Sequence, residues 1–229
     1  YMLFFTQKGK VFWMRVYEIP EGGKNSKGRA MQNLINIEQD DKVKAFLVTQ
    51  DLKDEEYINN HYVIMATKKG QVKKTSLEQY SRPRTNGINA ITIREGDELL
   101  EAKLTSGDSQ VMLALKSGKS IRFEEAKTRP MGRTASGVRG ITLGHENDEV
   151  IGMVAVNDMD SNILVVSAKG YGKRSKLEDY RITNRGGKGV KTLNISEKTG
   201  DLVAIKNVDD SNDLMIINKS GITIRMAVE

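Results

Sequence analysis

The sequence predicts an all-β chain built from repeated four-stranded units set radially, as in a propeller, and three observations predict it. The first is a recurring run of apolar residues, a polar pair and a glycine, followed by a mixed or alternating run. It appears as "YMLFFTQKGKVFW" from Tyr1, "HYVIMATKKGQVKK" from His61, "SQVMLALKSGKSIRF" from Ser109, "SNILVVSAKGYGKR" from Ser161 and "SNDLMIINKSGITIR" from Ser211. The glycines are Gly9, Gly70, Gly118, Gly170 and Gly221, at steps of 61, 48, 52 and 51 residues. The second is another glycine downstream in each complete unit: Gly28, Gly87, Gly137 and Gly189, at offsets of 19, 17, 19 and 19. The third is the want of any extended helical stripe; the best candidate, "LEQYSRPR", is stopped at Pro83.

Each element follows in order. An x-Gly dipeptide between two β-rich runs reads as a hairpin, because glycine takes the positive φ that a tight turn demands. After the hairpin comes a basic connector holding the second glycine, then an apolar stretch ("LINI", "INAITI", "GVRGITL", "VKTLNI"). An acidic turn follows, and a last strand-like run: "VKAFLV", "LLEAKL", "VIGMVAV", "LVAIKNV". The unit is therefore hairpin, basic connector, hairpin. The expected units cover about 1–60, 61–108, 109–160, 161–210 and a partial 211–229, within one domain that reads as part of something longer. A sandwich or barrel would not account for five in-phase hairpin glycines. The Trp-Asp dipeptide of one familiar repeat class is missing.

Composition excludes several chemistries. The 229 residues contain no Cys and only His61 and His145, so a thiolate site, a Cys nucleophile and a histidine-based triad have no material, and no metal is expected. No apolar run approaches the roughly 18 residues of a membrane span. The expected location is the cytoplasm. No catalytic residue is assigned, since no nucleophile–base pair or paired-carboxylate motif emerges. "NRGGKG" at 184–189 invites a nucleotide reading, but a P-loop needs glycine where Ile182 stands and Ser or Thr where Gly189 stands.

Charge is distributed rather than merely positive. The net charge is +6, a small excess. Yet residues 24–29, 81–94, 127–139 and 181–191 carry bases and no acids, whereas acids crowd "EQDD" at 38–41, "DLKDEE" at 51–56, "EGDE" at 95–98 and "HENDE" at 145–149. Radial units would carry the connector charges to one circumferential band: Lys24, Lys27 and Arg29; Arg82 and Arg84; Lys127, Arg129, Arg133 and Arg139; Arg181, Arg185, Lys188 and Lys191. Bases just after the hairpin glycines (Lys73, Lys74, Arg122, Lys173, Arg174 and Arg225) are expected to extend it. Such a band suits double-stranded DNA, gripped through phosphates and without base readout. The recurring connector glycines read as sharp corners, and Gly186 and Gly187 equally as backbone amides offered to phosphate. Trp13, Tyr17, Tyr80 and Tyr180 are expected to pack between units, and Met65, Met112 and Met215 to lie in the core.

Several stretches give the chain a family. "GKVFWMRVYEIPE" at 9–21, "KGRAMQNL" at 27–34, "VKKTSLEQYSRPRTNGI" at 72–88, "RPMGRTASGVRGITLG" at 129–144 and "KGYGKRSKLEDY" at 169–180 closely resemble the C-terminal domain of the A subunit of bacterial DNA gyrase. The resemblance implies a β-pinwheel, a propeller-like disc whose neighbouring blades exchange strands. It implies binding and wrapping of duplex DNA on the outer rim, in support of ATP-dependent negative supercoiling by a type II topoisomerase. The implied partners are double-stranded DNA, the remainder of the gyrase A subunit, paired as a dimer, and the gyrase B subunit in an A2B2 complex. The implied catalytic residues lie outside this chain, as do ATP and Mg, so no cofactor is expected in this segment. Asn184, Arg185, Gly186, Gly187, Lys188 and Gly189 resemble the family's basic glycine-rich box, with Asn184 replacing an arginine and with the copy placed in a later blade. The alternatives are the matching domain of the A-type subunit of topoisomerase IV and a propeller-like scaffold for protein partners.

Overall fold

The structure is a computed structural model that describes residues 1–23 and 25–228. Lys24 and Glu229 lie outside the described residues, and with Lys24 one of the expected band positions.

The five hairpins form as expected: β1 (Met2–Thr6) with β2 (Lys10–Met14), β4 (Tyr62–Thr67) with β5 (Gln71–Ser76), β8 (Gln110–Leu115) with β9 (Lys119–Glu124), β12 (Asn162–Ser167) with β13 (Gly172–Lys176), and β16 (Asp213–Ile217) with β17 (Thr223–Ala227). Their turn glycines all have φ between 81° and 85°. A long strand then returns beside the first strand of each hairpin: β3 (Val43–Val48) on β1, β7 (Leu99–Thr105) on β4, β11 (Val150–Val156) on β8 and β15 (Leu202–Val208) on β12. Each return pairing carries a bulge near the same end, between Phe5 and Thr6, Ala66 and Thr67, Val150 and Gly152, and Val166 and Ser167. A bulge bends the strand and adds twist, which turns a flat sheet into a blade.

The second expected hairpin of each unit does not exist. Its first strand shrinks to two residues and pairs with the preceding unit: β6 (Ile88–Asn89) on β2, β10 (Val138–Arg139) on β5 and β14 (Val190–Lys191) on β9. The sheets therefore run β3-β1-β2-β6, β10-β5-β4-β7 and β11-β8-β9-β14, with three strands in the fourth and two in the fifth. Each complete sheet thus takes three strands from its own unit and borrows the last from the next.

Consecutive sheets face each other across the cores. Along β4, Val63 and Met65 point into a cluster shared with Leu3, Phe5 and Val11, while Ile64 and Ala66 point into one shared with Val111, Leu113 and Phe123. β8 does the same one step on, with Met112 and Ala114 turned toward Ile163 and Val165. Strands buried on both faces need continuous apolar runs, hence "VIMA" and "VMLAL". Two expectations fail for want of a second neighbour. Met215 is 61% exposed and Tyr17 75% exposed, so neither packs in a core. A short helix also escaped the periodicity: α1 (Glu55–Asn60), capped by the Asp54 side chain accepting from the Tyr57 amide at 3.1 Å.

Candidate nucleic-acid interface

Two edges of each sheet differ. β3, β7, β11 and β15 pack one beside the next, whereas β2, β5 and β9 face away and receive the borrowed strands. The connectors consequently run along the outer edges of the units that precede them. The hold is repeated: Ala90 and Ile91 amides donate to the Gly9 carbonyl, Gly140 and Ile141 to Gly70, and Thr192 and Leu193 to Gly118. A Cβ on Gly137 would lie 2.5 Å from the Val72 carbonyl oxygen, and one on Gly189 2.5 Å from that of Ser120. Positive φ and close approach together demand glycine there.

Successive connectors also clasp each other. Thr92 donates through its hydroxyl to the Thr134 carbonyl at 2.7 Å, and Thr142 to that of Gly186 at 2.7 Å. The Gly186 amide, expected to be offered to phosphate, is instead spent on the Gly140 carbonyl at 2.6 Å. That part of the expectation is corrected: the φ of +86° serves the clasp. Asn184, Gly187, Lys188 and Gly189 line a groove over Ser120–Arg122 with Arg181.

Exposed bases on the connectors are Lys27, Arg29, Arg82, Arg84, Lys127, Arg129, Arg139, Arg181, Lys188 and Lys191; Arg133 and Arg185 are half-buried. Neighbouring units bring some together. Arg82 and Arg84 share an open groove with Arg133, and Arg185 donates to the carbonyls of Lys127 at 2.9 Å and Arg139 at 3.1 Å. Lys191 stands opposite Lys119 in the β14–β9 pairing, and Lys173 is exposed on β13. Arg15 was missed by the sequence reading; it is exposed, lies between the rings of Tyr1 and Tyr17, and lines one groove with Arg84. Its position directly before the connector was the available signal.

Three expected bases are not surface groups. Lys73 is fully buried and donates to the carbonyls of Ala90 and Arg133. Lys74 is 4% exposed, paired with the buried Glu125 at 3.1 Å and set 4.3 Å over the Tyr62 ring. Arg122 is 8% exposed and bonded to Gln110 and to the carbonyls of Leu177 and Tyr180. Alternation in β5 and β9 turns Lys74 and Arg122 into the seam with the next unit and Lys73 to the opposite face, under the connectors, and none of the three can meet a phosphate there. Arg174 stays exposed but is bonded to the Val228 carbonyl and paired with Asp210, and Arg225 is exposed and paired with Asp213 of its own hairpin.

The acidic turns sit at the hairpin tips, where their charges are partnered. Lys10 and then Lys8 hold the Glu38 carboxyl down to about 2. Lys68 bridges Glu98 of its own unit and Glu149 of the next. Asp97 accepts from the Lys69 amide at 2.9 Å, and Asp148 from that of Ser117 at 3.1 Å. Among the described residues no group of three metal-ligating side chains converges, and no helix is long and apolar enough to cross a membrane.

A disc segment of strand-exchanging blades with a cationic outer edge is the class these features define. The family described as DNA gyrase C-terminal domain, beta-propeller, matches residues 1–50, 61–106, 111–157 and 161–209, and the chain belongs to it. The chain is 43% identical over all 229 residues to the DNA gyrase A subunit of Staphylococcus aureus strain NCTC 8325 / PS 47, and equally to that of strain COL. It spans a quarter of the length of those relatives. Two solved structures share the fold. The C-terminal domain of DNA topoisomerase IV superposes with a TM-score of 0.86 at 24% identity, over 99% of this chain and 69% of that one. The DNA gyrase A C-terminal domain superposes with a TM-score of 0.82 at 22% identity, over 99% and 72%.

Proposed function

We propose that this protein is a non-catalytic part of the DNA gyrase A subunit that binds duplex DNA along its outer edge and bends it. The observation that carries the reading is the loan of β6, β10 and β14: it lays consecutive connectors on the outer edges of neighbouring units, with exposed bases on each. A band of that kind meets phosphates rather than base edges. If roughly 8–10 phosphates are neutralised, log K falls against log salt with a slope of about −7 to −9. Bending a few tens of base pairs costs several kcal/mol, by order of magnitude, which many dispersed contacts offset.

In this reading the remainder of the A subunit supplies the DNA-cleaving residues and the B subunit the ATP site, in a cytoplasmic A2B2 complex. This segment needs no cofactor of its own. Wrapping against simple binding is tested by ligating small DNA circles with the protein bound and resolving their topoisomers. A shift in linking number supports wrapping; an unchanged distribution at saturating protein overturns it. Negative supercoiling of relaxed plasmid by the full-length enzyme separates the gyrase reading from topoisomerase IV, which relaxes and decatenates.

A further inference from the structure

The third residue after each hairpin glycine is Phe12, Lys73, Ile121, Lys173 and Ile224 in turn. Phe12 and Ile121 fill this place with apolar bulk. Lys73 is just as buried, and a buried ammonium is costly unless partnered. Its Nζ donates to the Ala90 carbonyl at 2.5 Å and to the Arg133 carbonyl at 2.7 Å. Ala90 belongs to the second connector and Arg133 to the third, so one side chain joins both. The Tyr80 hydroxyl donates to the same Ala90 carbonyl at 3.0 Å, and Tyr80 and Arg133 are the titratable groups beside the amine. Burial, and then the Arg133 charge, bring the Lys73 ammonium down to about 7. Two N–H bonds suffice for two carbonyls, so the link survives loss of the proton.

The segment around Arg133 is fastened on either side. The Met131 amide donates to the Lys74 carbonyl at 2.7 Å, and the Thr134 carbonyl accepts from Thr92. Lys73 sets the middle. Beyond it the Arg133 side chain lines an open groove with Arg82, Arg84, Gln79 and Asn89, and with Glu78 as the acid present.

We propose that Lys73 is a positioning residue that clamps the third connector onto the second, so that Arg82, Arg84 and Arg133 act together on one stretch of DNA backbone. This rests on the duplex-binding reading above and names a site within it. The clamp touches no DNA. It fixes the spacing of the three guanidinium groups, which come from two units and would otherwise be set by loops.

The test is fluorescence anisotropy with a labelled linear duplex of mixed sequence, titrated across salt, for Lys73→Met, Lys73→Gln, Arg82→Ala, Arg84→Ala, Arg133→Ala and the Lys73→Met/Arg133→Ala pair. Lys73→Met should melt within a few degrees of the parent, bind about 3- to 10-fold more weakly, and lose about 0.9 from the salt slope, as if one phosphate contact had gone. The double variant should bind no worse than Arg133→Ala alone, because both remove the same contact. Lys73→Gln keeps an N–H donor pair and should retain most of the affinity. The clamp is overturned if Lys73→Met binds with parental affinity and slope while Arg82→Ala binds weakly, or if Lys73→Gln is as weak as Lys73→Met. Unchanged binding by Arg82→Ala, Arg84→Ala and Arg133→Ala alike would instead remove the duplex-binding reading on which the clamp stands.

Discussion

The Arg122 guanidinium leaves its own unit and donates to the Leu177 and Tyr180 carbonyls of the next, at 2.7 and 2.8 Å. The equivalent residue four after each hairpin glycine does the same at the other seams. Trp13 donates to the Tyr80 carbonyl at 2.9 Å, Arg174 to that of Val228 at 3.0 Å, and Lys74 meets Glu125 at 3.1 Å. Four side chains of three chemical kinds perform one task. At three of these seams a short 3-10 turn presents its unpaired carbonyls, or a carboxylate, at the same place each time.

Arg122→Met should therefore destabilise the fold rather than relax a DNA contact. Removing a buried charged donor strands the Leu177 and Tyr180 carbonyls, at a cost of about 2–4 kcal/mol. Urea unfolding should show it. The DNA affinity of the fraction still folded should stay near the parental value.

Rim charges should behave collectively. Replacing Arg82 and Arg84 with alanine should weaken duplex binding modestly and reduce the salt slope by about 0.9 for each phosphate released. Neutralising three connectors should abolish topoisomer shifts in ligated circles. Glu95→Gln, in an acidic turn, serves as the control, and an equal loss from it would contradict a rim-specific interface.

Glycine tolerance should differ between units. Gly137→Ala combines a φ of +87° with a Cβ 2.5 Å from the Val72 carbonyl, and should cost more than about 2 kcal/mol as β10 is displaced. Gly28 has a φ of +71° but open space around its Cβ position, so Gly28→Ala should cost about 1 kcal/mol. Thermal unfolding of the two variants gives the comparison.

Stability should rise with pH above neutrality. The Lys73 amine titrates near 7 in the fold and near its ordinary 10.5 when unfolded. Between those values the unfolded chain holds the extra proton, so raising the pH favours the fold, and below 7 the full penalty of burying the charge applies. Urea unfolding between pH 7 and 9 should show a gain on the order of 2 kcal/mol. Lys73→Met should flatten it.

Much of this architecture could be read from residue order. The in-phase glycines located every hairpin turn, because only a positive φ closes those turns and the chain has no substitute for glycine there. The continuous apolar runs of β4 and β8 announced strands covered on both faces, and the acid-free connectors announced where exposed bases would gather. Pairing partners were not legible. Ile88–Asn89 carries no mark that it belongs to β2 rather than to β7, since a two-residue strand is chosen by the edge available to it in space. Nor does "VKK" reveal that both lysines are buried: they point to opposite faces of β5, and only the packing of neighbouring units shows that each face is covered. Local chemistry thus set the hairpin turns and the places of charge. Packing of one unit against another decided which of those charges face solvent and which are consumed in holding the disc together.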